Sequence, residues 1–228
     1  MRTIGLIGGT SWHSTIEYYK LINQMVGETI GSQGNPELLI YSINIEIMRE
    51  QDPDRINTKY LEVSGILQEA GAEALVICAN TPHMACDYVQ PRIGIPILHI
   101  AEATGRKAVE LGARKVGLLG NRPTMTRGFI PEYLKREFGI ETMIPQGEAV
   151  DRSHYFVSRE LTQGHFTGEA RKFYLGQISE LTARGAEAIV LGCTELPLLL
   201  SQDETDVPLL PTTELHARMA SDFILGHH

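Results

Sequence analysis

Cys193 stands in the segment G-C-T-E-L-P, directly after an apolar run that is typical of a buried strand. A second segment, I-C-A-N-T-P-H, ends at His83 and follows a closely similar run. When the two runs are aligned, Cys193 corresponds to Ala79, and Cys78 falls one place early. Acid and base groups on opposite faces of one carbon can invert a stereocentre by proton transfer. The two segments therefore predict a two-sided proton-transfer site in which one side lacks its thiol.

We expect Cys193 to lie at the amino end of a helix that runs through E-L-P-L-L-L. The free N–H groups of a helix terminus favour a thiolate, so we expect its pKa to lie below the usual value of about 8.5. Thr194 and Glu195 suit the first turn of such a helix, as cap and as a charge favoured by its dipole. Side chains alternate along a strand, so Cys78 should point into packing if Ala79 points toward the site.

Polar residues in other loops are candidates for substrate binding. Asn80, Thr81 and the loop 124–126 supply an amide, hydroxyls and backbone N–H groups, which suit a substrate carboxylate. Ordinary loop and cap hydrogen bonds are an equally good interpretation of these residues. Arg49 could pair with a second carboxylate, although a lone arginine more often lies on the surface.

The sequence predicts neither a metal nor a nucleotide cofactor. His83 and Cys86 have a spacing that could bind a metal, but no second pair of ligands follows, which favours core or cap roles. Gly5, Gly8 and Gly9 do not form a dinucleotide-binding fingerprint.

Short apolar runs alternate with helix-length segments along the whole chain, which is typical of an α/β fold with parallel sheets covered on both faces. A helix is predicted over 54–70, ending at Gly71, and a closing helix over 213–225. The predicted strands span residues 3–8, 37–44, 73–78, 95–100, 115–120, 140–144, 187–191 and 207–210.

The two halves of the chain repeat. I-G-L-I-G-G at residues 4–9 matches V-G-L-L-G-N at 116–121, an offset of 112 residues, and G-A-E-A-L-V at 71–76 matches G-A-E-A-I-V at 185–190, an offset of 114. This order and spacing favour a duplicated lobe over the chance likeness of apolar strands. We therefore predict two similar lobes, each with a four-stranded parallel sheet, related by a pseudo-twofold with the site in the cleft between them. The first lobe comprises residues 1–98 plus about 211–228, with the closing helix packed on it, and the second comprises 99–210.

Composition excludes several classes of protein. The 228 residues carry a formal charge of −8 and give a pI near 5.5, which argues against a nucleic-acid partner. No apolar stretch approaches the roughly 20 residues of a membrane span. Three cysteines and the lack of a signal-peptide pattern at the start suit a reducing compartment, so we expect a cytoplasmic location.

The motifs I-G-L-I-G-G-T-S-W, A-N-T-P-H, R-P-T-M-T and G-C-T-E-L-P occur in this order, and with them the chain resembles the aspartate/glutamate racemase family, most closely its aspartate racemase branch. The resemblance implies an amino-acid racemase with two α/β lobes, without pyridoxal phosphate or metal, that is commonly a homodimer. It also implies two catalytic cysteines, of which the second is Cys193, whereas Ala79 occupies the place of the first. The implied substrate-binding residues are Thr10, Ser11, Arg49, Gln51, Asn80, Thr81, Thr124, Thr126, Thr194 and Glu195.

The alanine at residue 79 leaves several alternatives open. Another acid, such as Thr81 or a bound water, reprotonates the second face, or the alanine was introduced to trap substrate. A third alternative is single-thiol chemistry that resembles the arylmalonate decarboxylases. A fourth is a non-catalytic module that binds an amino acid or dicarboxylate.

Overall fold

A computed structural model describes residues 1–31 and 33–227 of the chain, which form two compact units. The first unit contains Met1–Ile100 and the residues from His216 onward, and the second contains Ala101–Leu215. These breaks fall after residues 100 and 215, and the predicted boundaries fall after residues 98 and 210. Within the described residues, no helix is both long and apolar enough to cross a membrane.

The first unit is built on a parallel sheet with the strand order β2-β1-β3-β4. Residues of alternating position in the central strands pack against helices on either face, which explains why these strands are apolar throughout. The strands are β1 (Ile4–Gly8), β2 (Leu38–Ser42), β3 (Ala74–Ile77) and β4 (Ile97–Leu98). The helices are α1 (Trp12–Ile30), α2 (Glu46–Arg49), α3 (Pro53–Glu69) and α4 (Cys86–Val89), with a 3₁₀ helix over Thr81–Ala85 before α4.

The second unit has a parallel sheet with the equivalent order β6-β5-β7-β8. Together the two sheets confirm the predicted α/β fold class with a four-stranded parallel sheet in each half. The strands are β5 (Lys115–Gly120), β6 (Glu141–Met143), β7 (Ala188–Gly192) and β8 (Leu209–Pro211). The helices are α5 (Ile100–Glu110), α6 (Arg122–Thr126), α7 (Pro131–Phe138), α8 (Glu148–Tyr155), α9 (Gly168–Ala183) and α10 (Leu196–Leu199). The last helix of the chain, α11 (Thr212–Leu225), begins in this unit and continues into the first.

Most of helix α11 belongs to the first unit. Ala217, Ala220 and Ile224 lie in the same core cluster as residues of β1, β3 and α1. The N–H of Arg2 also donates to the carbonyl of Ile224. Helix α11 therefore packs in the same core as β1, β3 and α1.

The duplication extends to individual hydrogen bonds. Gly71 and Gly185 both have φ near 100°, and each ends a helix before a repeated strand. In the first unit the N–H of Glu73 donates to the carbonyl of Thr3, and in the second the N–H of Glu187 donates to that of Lys115. These matched contacts show that the sequence repeat corresponds to one local structure built twice.

A pair of glutamines repeats in the same way at the outer strands. The amide of Gln90 accepts from the N–H of Ile97 and donates to the carbonyl of Ile95. The amide of Gln202 makes the equivalent two bonds, with the N–H of Leu209 and the carbonyl of Val207. β4 is shorter than the predicted 95–100, and β8 is shifted from the predicted 207–210. In both places a glutamine amide, not a neighbouring strand, bonds the backbone N–H where the strand begins.

Candidate active site

The predicted site residues of the first unit lie at one edge of its sheet. Gly8 pairs with Ser42, and Ile7 pairs with Ile77, so the loops after β1, β2 and β3 leave the sheet on the same side. Ligands of open parallel sheets bind at this carboxyl edge. We call these residues the first half-site: Thr10, Ser11, Arg49, Gln51, Ala79, Asn80 and Thr81.

The remaining predicted residues lie at the equivalent edge of the second unit. Gly120 pairs with Gly192, and the loops after β5 and β7 begin at the next residues. We call this group the second half-site: Thr124, Thr126, Cys193, Thr194 and Glu195. The structure therefore collects the predicted residues into two half-sites, one on each unit.

The ladder registers show which residues of the two half-sites are equivalent. Ile7 pairs with Ile77 in the first sheet, and Leu119 pairs with Leu191 in the second. Two residues beyond Ile77 and Leu191 stand Ala79 and Cys193, respectively. The backbone pairing thus gives the same equivalence as the sequence repeat.

Glycine and hydroxyl groups shape the loop after β1. Gly9 has φ +87°, and a side chain there would collide with the backbone of Ile43 in the loop after β2. Ser11 caps helix α1 by accepting from the N–H of Ser14 at 3.3 Å. The hydroxyl of Thr10 lies 2.8 Å from that of Tyr60, which fixes its orientation. Loops 9–11 and 43–51 are therefore held side by side.

The loop after β2 carries a cation and a backbone outlier. Arg49 ends helix α2 with an exposed side chain, and no ion pair to it is found among residues 1–31 and 33–227. Gln51 has φ +58°, the one positive φ of a described residue that is not glycine, and its amide donates to the carbonyl of Met48. A left-handed conformation costs energy for a residue other than glycine, and residues held in it are frequent at functional sites.

The loop after β3 separates Cys78 from Ala79. The side chain of Cys78 is 1% exposed and packs in the core cluster that contains Ala217 and Ala220. Burial raises the pKa of its thiol, and its carbonyl accepts from the hydroxyl of buried Ser14 at 2.7 Å. Ala79, in contrast, is half-buried. The prediction that Cys78 points into packing is confirmed.

The other candidate for a free thiol in this unit is also core. Cys86 begins helix α4 and packs in the cluster with residues of α3 and β3. Burial raises the pKa of its thiol, with a smaller effect of Asp87 in the same direction. No group of three or more His, Cys, Asp or Glu side chains suited to a metal occurs in the described part of the chain.

In the second half-site, Thr124 packs beneath the loop that carries Cys193. Its N–H donates to the side chain of Asn121, which caps helix α6. Side chains added at Gly120 or Gly192 would press on the Thr124 methyl group. Thr126 is exposed, and its hydroxyl donates to the carbonyl of Arg122 in its own helix. Thr124 therefore supports the loop, whereas Thr126 faces solvent.

Cys193 forms a hydrogen-bonded group with the next two residues. Its Sγ donates to Oε2 of Glu195 at 3.0 Å, and the hydroxyl of Thr194 donates to the same oxygen at 2.8 Å. Cys193 is 8% exposed and Glu195 is 6% exposed. The sulfur belongs to the core cluster of this unit, but its polar contact is a carboxylate. A buried carboxylate requires such donors.

The predicted depression of the Cys193 pKa is wrong. Burial, followed by the charge and hydrogen-bond acceptance of the Glu195 carboxylate, raises the pKa of this thiol well above its usual value. The backbone N–H groups of Glu195 and Leu196 act in the opposite direction but are outweighed. Helix α10 begins only at Leu196 and has 4 residues, so its dipole lowers the pKa of the thiol only weakly. The group therefore rests as a thiol whose proton faces Glu195.

Sequence reasoning missed two buried tyrosines, one beneath each half-site. Tyr60 of α3 contacts Thr10, and Tyr174 of α9 donates to the carbonyl of Ser153 at 3.1 Å. The hydroxyl of Ser153 in turn donates to the carbonyl of Gly120, the last residue of β5. The two tyrosines are 114 residues apart, the offset of the G-A-E-A repeat, and that offset was the signal that could have found them.

A separate cavity of about 460 Å³ lies in the first unit at the opposite edge of the sheet. Its lining includes Thr3 and Glu37, which precede β1 and β2, and Ala70 and Gly71, which precede β3. None of the predicted site residues lines it.

Comparison with known proteins gives a consistent result. A family model described as Asp/Glu/Hydantoin racemase matches residues 7–220. The broad specificity amino-acid racemase RacX of Bacillus subtilis (strain 168) is 22% identical over 231 aligned positions, which cover 98% of this chain and 99% of that protein.

Solved structures give close likenesses over the whole chain. A Yersinia pestis protein assigned to the Asp/Glu racemases is 35% identical with a TM-score of 0.93, covering 99% of this chain and 100% of that one. An aspartate racemase homologue from Pyrococcus horikoshii OT3 is 32% identical with a TM-score of 0.87, again covering 99% and 100%.

Proposed function

Because the chain belongs to the Asp/Glu/hydantoin racemase family, we propose that it is a cofactor-independent amino-acid racemase that acts on aspartate, glutamate or a similar amino acid, with Cys193 as the acid/base group. The observation that carries this proposal is the contact of the Cys193 sulfur with the Glu195 carboxylate at the carboxyl edge of β7. A thiol beside a proton acceptor is the arrangement that proton transfer at carbon requires.

The chemistry follows from this contact. The proton of Cys193 passes to Oε2 of Glu195, and the thiolate then removes the α-proton of the substrate, so the sulfur is again a thiol and the substrate is a carbanion. A raised thiol pKa makes the thiolate scarcer but a stronger base, which suits a weakly acidic C–H bond. Thr194 donates to the same carboxylate and holds it in position.

Substrate binding is assigned to the polar residues at the carboxyl edges of the sheets. Their N–H and hydroxyl groups would donate to the α-carboxylate, and their hydroxyl and amide oxygens would accept from the ammonium group. The residues assigned in this way are Thr10, Ser11, Gln51, Asn80, Thr81, Thr124 and Thr126. Arg49 is exposed and is the cation that would pair with a distal carboxylate. A distal carboxylate is what distinguishes aspartate and glutamate from other amino acids.

Ala79 makes the proposed reaction one-sided. Its methyl group has no exchangeable proton, and the register of the duplicated sheets gives it the place that Cys193 has in the second unit. We expect the protein to exchange the α-hydrogen of one enantiomer with solvent faster than it interconverts the two enantiomers, because one face of the carbanion has a thiol and the other does not.

The experiment is incubation of each enantiomer of aspartate and glutamate in D₂O, with loss of the α-proton signal followed by NMR and inversion followed by chiral chromatography. Cys193→Ala should abolish exchange, whereas Cys78→Ala, a buried core thiol, is the matched control and should retain it. Exchange that survives Cys193→Ala, or equal exchange and inversion rates for both enantiomers, would contradict the proposal.

A second candidate is a decarboxylase with a single catalytic cysteine, which resembles the arylmalonate decarboxylases. Among the described residues Cys193 is the cysteine whose thiol donates to a carboxylate, whereas Cys78 donates to the backbone of its own strand and Cys86 packs in the core, which favours it. Release of CO₂ from phenylmalonate would support it. Tight dicarboxylate binding without exchange or CO₂ release would instead support a binding protein.

A cytoplasmic location and a homodimer belong to the same proposal. The three cysteines are all free and buried, which suits a reducing compartment. Light scattering of the purified protein tests the dimer, and a mass of about 25 kDa, that of one chain, would exclude it.

A further inference from the structure

Three buried histidines lie together in the first unit, behind the loop that carries Ala79. The ring centroid of His83 is 4.8 Å from that of His99 and 5.4 Å from that of His216. His216 is held by two bonds: its Nδ1 accepts from the hydroxyl of Tyr18 at 2.8 Å, and its Nε2 donates to the carbonyl of Leu98 at 2.7 Å. His216 is therefore a neutral ring in a fixed position against which His83 packs.

His83 contacts the backbone of the first half-site directly. Its Nδ1 lies 2.9 Å from the carbonyl oxygen of Ala79 and 3.3 Å from that of Asn80. Carbonyl oxygens only accept, so Nδ1 carries the proton and donates. The ring is 1% exposed, and burial together with His99 and His216 holds its pKa well below the usual range, so it stays neutral.

The other ring nitrogen of His83 makes no comparable contact to any residue that the structure describes, so the bond from Nδ1 to the backbone is the polar interaction that this histidine contributes. Nε2 of His83 is buried and has no hydrogen-bond partner among the described residues. A buried polar atom without a partner is costly, and an apolar residue would avoid that cost. The residue equivalent to His83 in the second unit is Pro197, so the contact is particular to the first half-site.

We infer that His83 is a positioning residue for the first half-site, because its Nδ1–H group fixes the carbonyls of Ala79 and Asn80 and so orients the turn that presents these residues to the substrate. This inference rests on the proposed racemase function. His83 cannot be the missing acid itself, since its ring is buried and its only proton is committed to the backbone.

Two substitutions of similar size distinguish positioning from packing. In His83→Asn the amide nitrogen takes about the place of Nδ1 and can still donate to the Ala79 carbonyl, whereas in His83→Gln the nitrogen takes about the place of Nε2. Both remove the ring. We expect His83→Gln to lower kcat/KM for α-hydrogen exchange about tenfold or more, and His83→Asn to recover most of that loss. Exposed His165→Gln is the control.

Equal losses in the two variants at matched unfolding midpoints would show a merely structural role and overturn the inference. If neither variant folds, ¹⁵N NMR of histidine-labelled wild-type protein decides the question, because a ring of His83 protonated at Nε2 would exclude the bond. Absence of Cys193-dependent exchange in the wild-type protein is a different result, since it refutes the proposed function itself. Exchange in the wild-type protein with indistinguishable His83 variants refutes only the role of His83.

Discussion

Substitution of Glu195 by glutamine tests the centre of the proposed chemistry. The change keeps the shape of the side chain but removes its charge and its ability to accept a proton. Glu195 accepts from the sulfur of Cys193 at 3.0 Å and from the hydroxyl of Thr194 at 2.8 Å. A bond to a charged group contributes about 1 to 1.5 kcal/mol more than a neutral one, so two bonds give about 2 to 3 kcal/mol. Because the variant also lacks the proposed acceptor of the thiol proton, and a positioned acid/base group contributes about 10²- to 10⁴-fold, we expect exchange to fall about 100-fold or more.

The same substitution should change the reactivity of the thiol in a defined direction. The Glu195 carboxylate raises the pKa of Cys193 by its charge and by accepting the thiol proton, so its removal lowers that pKa. Alkylation of Cys193 by iodoacetamide, followed across pH by mass spectrometry, should therefore rise at lower pH in Glu195→Gln than in the wild-type protein, even though exchange is slower.

Exchange is measured in D₂O by NMR, and exposed Glu69→Gln is the matched control for loss of one negative charge. An exchange rate within about twofold of the wild type would show that Glu195 does not take part in proton transfer. An alkylation profile that moves to higher pH would refute the assigned cause of the raised thiol pKa.

Further predictions concern the second face, the loop after β1 and the histidine cluster. Ala79→Cys should raise the rate of inversion at least about tenfold, because it supplies the absent acid. Cys78→Ser should leave that rate nearly unchanged, and chiral chromatography measures both. The reverse pattern would mean that the strand faces are wrongly assigned. Gly9→Ala should lower the free energy of unfolding in urea by at least about 2 kcal/mol, because residue 9 has a positive φ and a side chain there collides with the next loop. Gly27→Ala should not lower it, because a side chain at residue 27 contacts no other atom. Equal effects of the two substitutions would exclude strain at residue 9 as the cause. Burial lowers the pKa of His216 to about 4. The unfolded chain therefore binds this proton first, and about 3 kcal/mol of stability, present above pH about 6.5, should be lost as the pH falls to about 4. His216→Gln should show a smaller acid loss in urea titrations, and an undiminished loss would exclude His216 as a source.

The fold could be predicted because its signals are local and repeated. Apolar runs separated by helix-length segments gave the strands of both sheets, and the G-A-E-A repeat gave their equivalence. The same repeat makes Ala79 equivalent to Cys193, and the ladder registers give the same equivalence. Strand alternation then correctly assigned Cys78 to the core.

The electrostatics of the site could not be predicted in this way. The sign of the Cys193 pKa shift depends on how a carboxylate two residues away folds back in a turn, and neither spacing nor helix propensity encodes that turn. The sequence predicts only a core or cap role for His83, because its contact with the Ala79 carbonyl depends on the packing of His216, which is distant in sequence. Such contacts arise from tertiary structure.

The paired glutamines at the outer strands bear on how copies of this chain can associate. The N–H of Ile97 and the carbonyl of Ile95 lie on the outer border of the first sheet, and the amide of Gln90 saturates both. Gln202 does the same for the second sheet. Backbone groups saturated in this way offer no template for intermolecular strand addition, the usual route by which exposed sheets aggregate. Growth of fibres by strand addition along these two borders is therefore disfavoured.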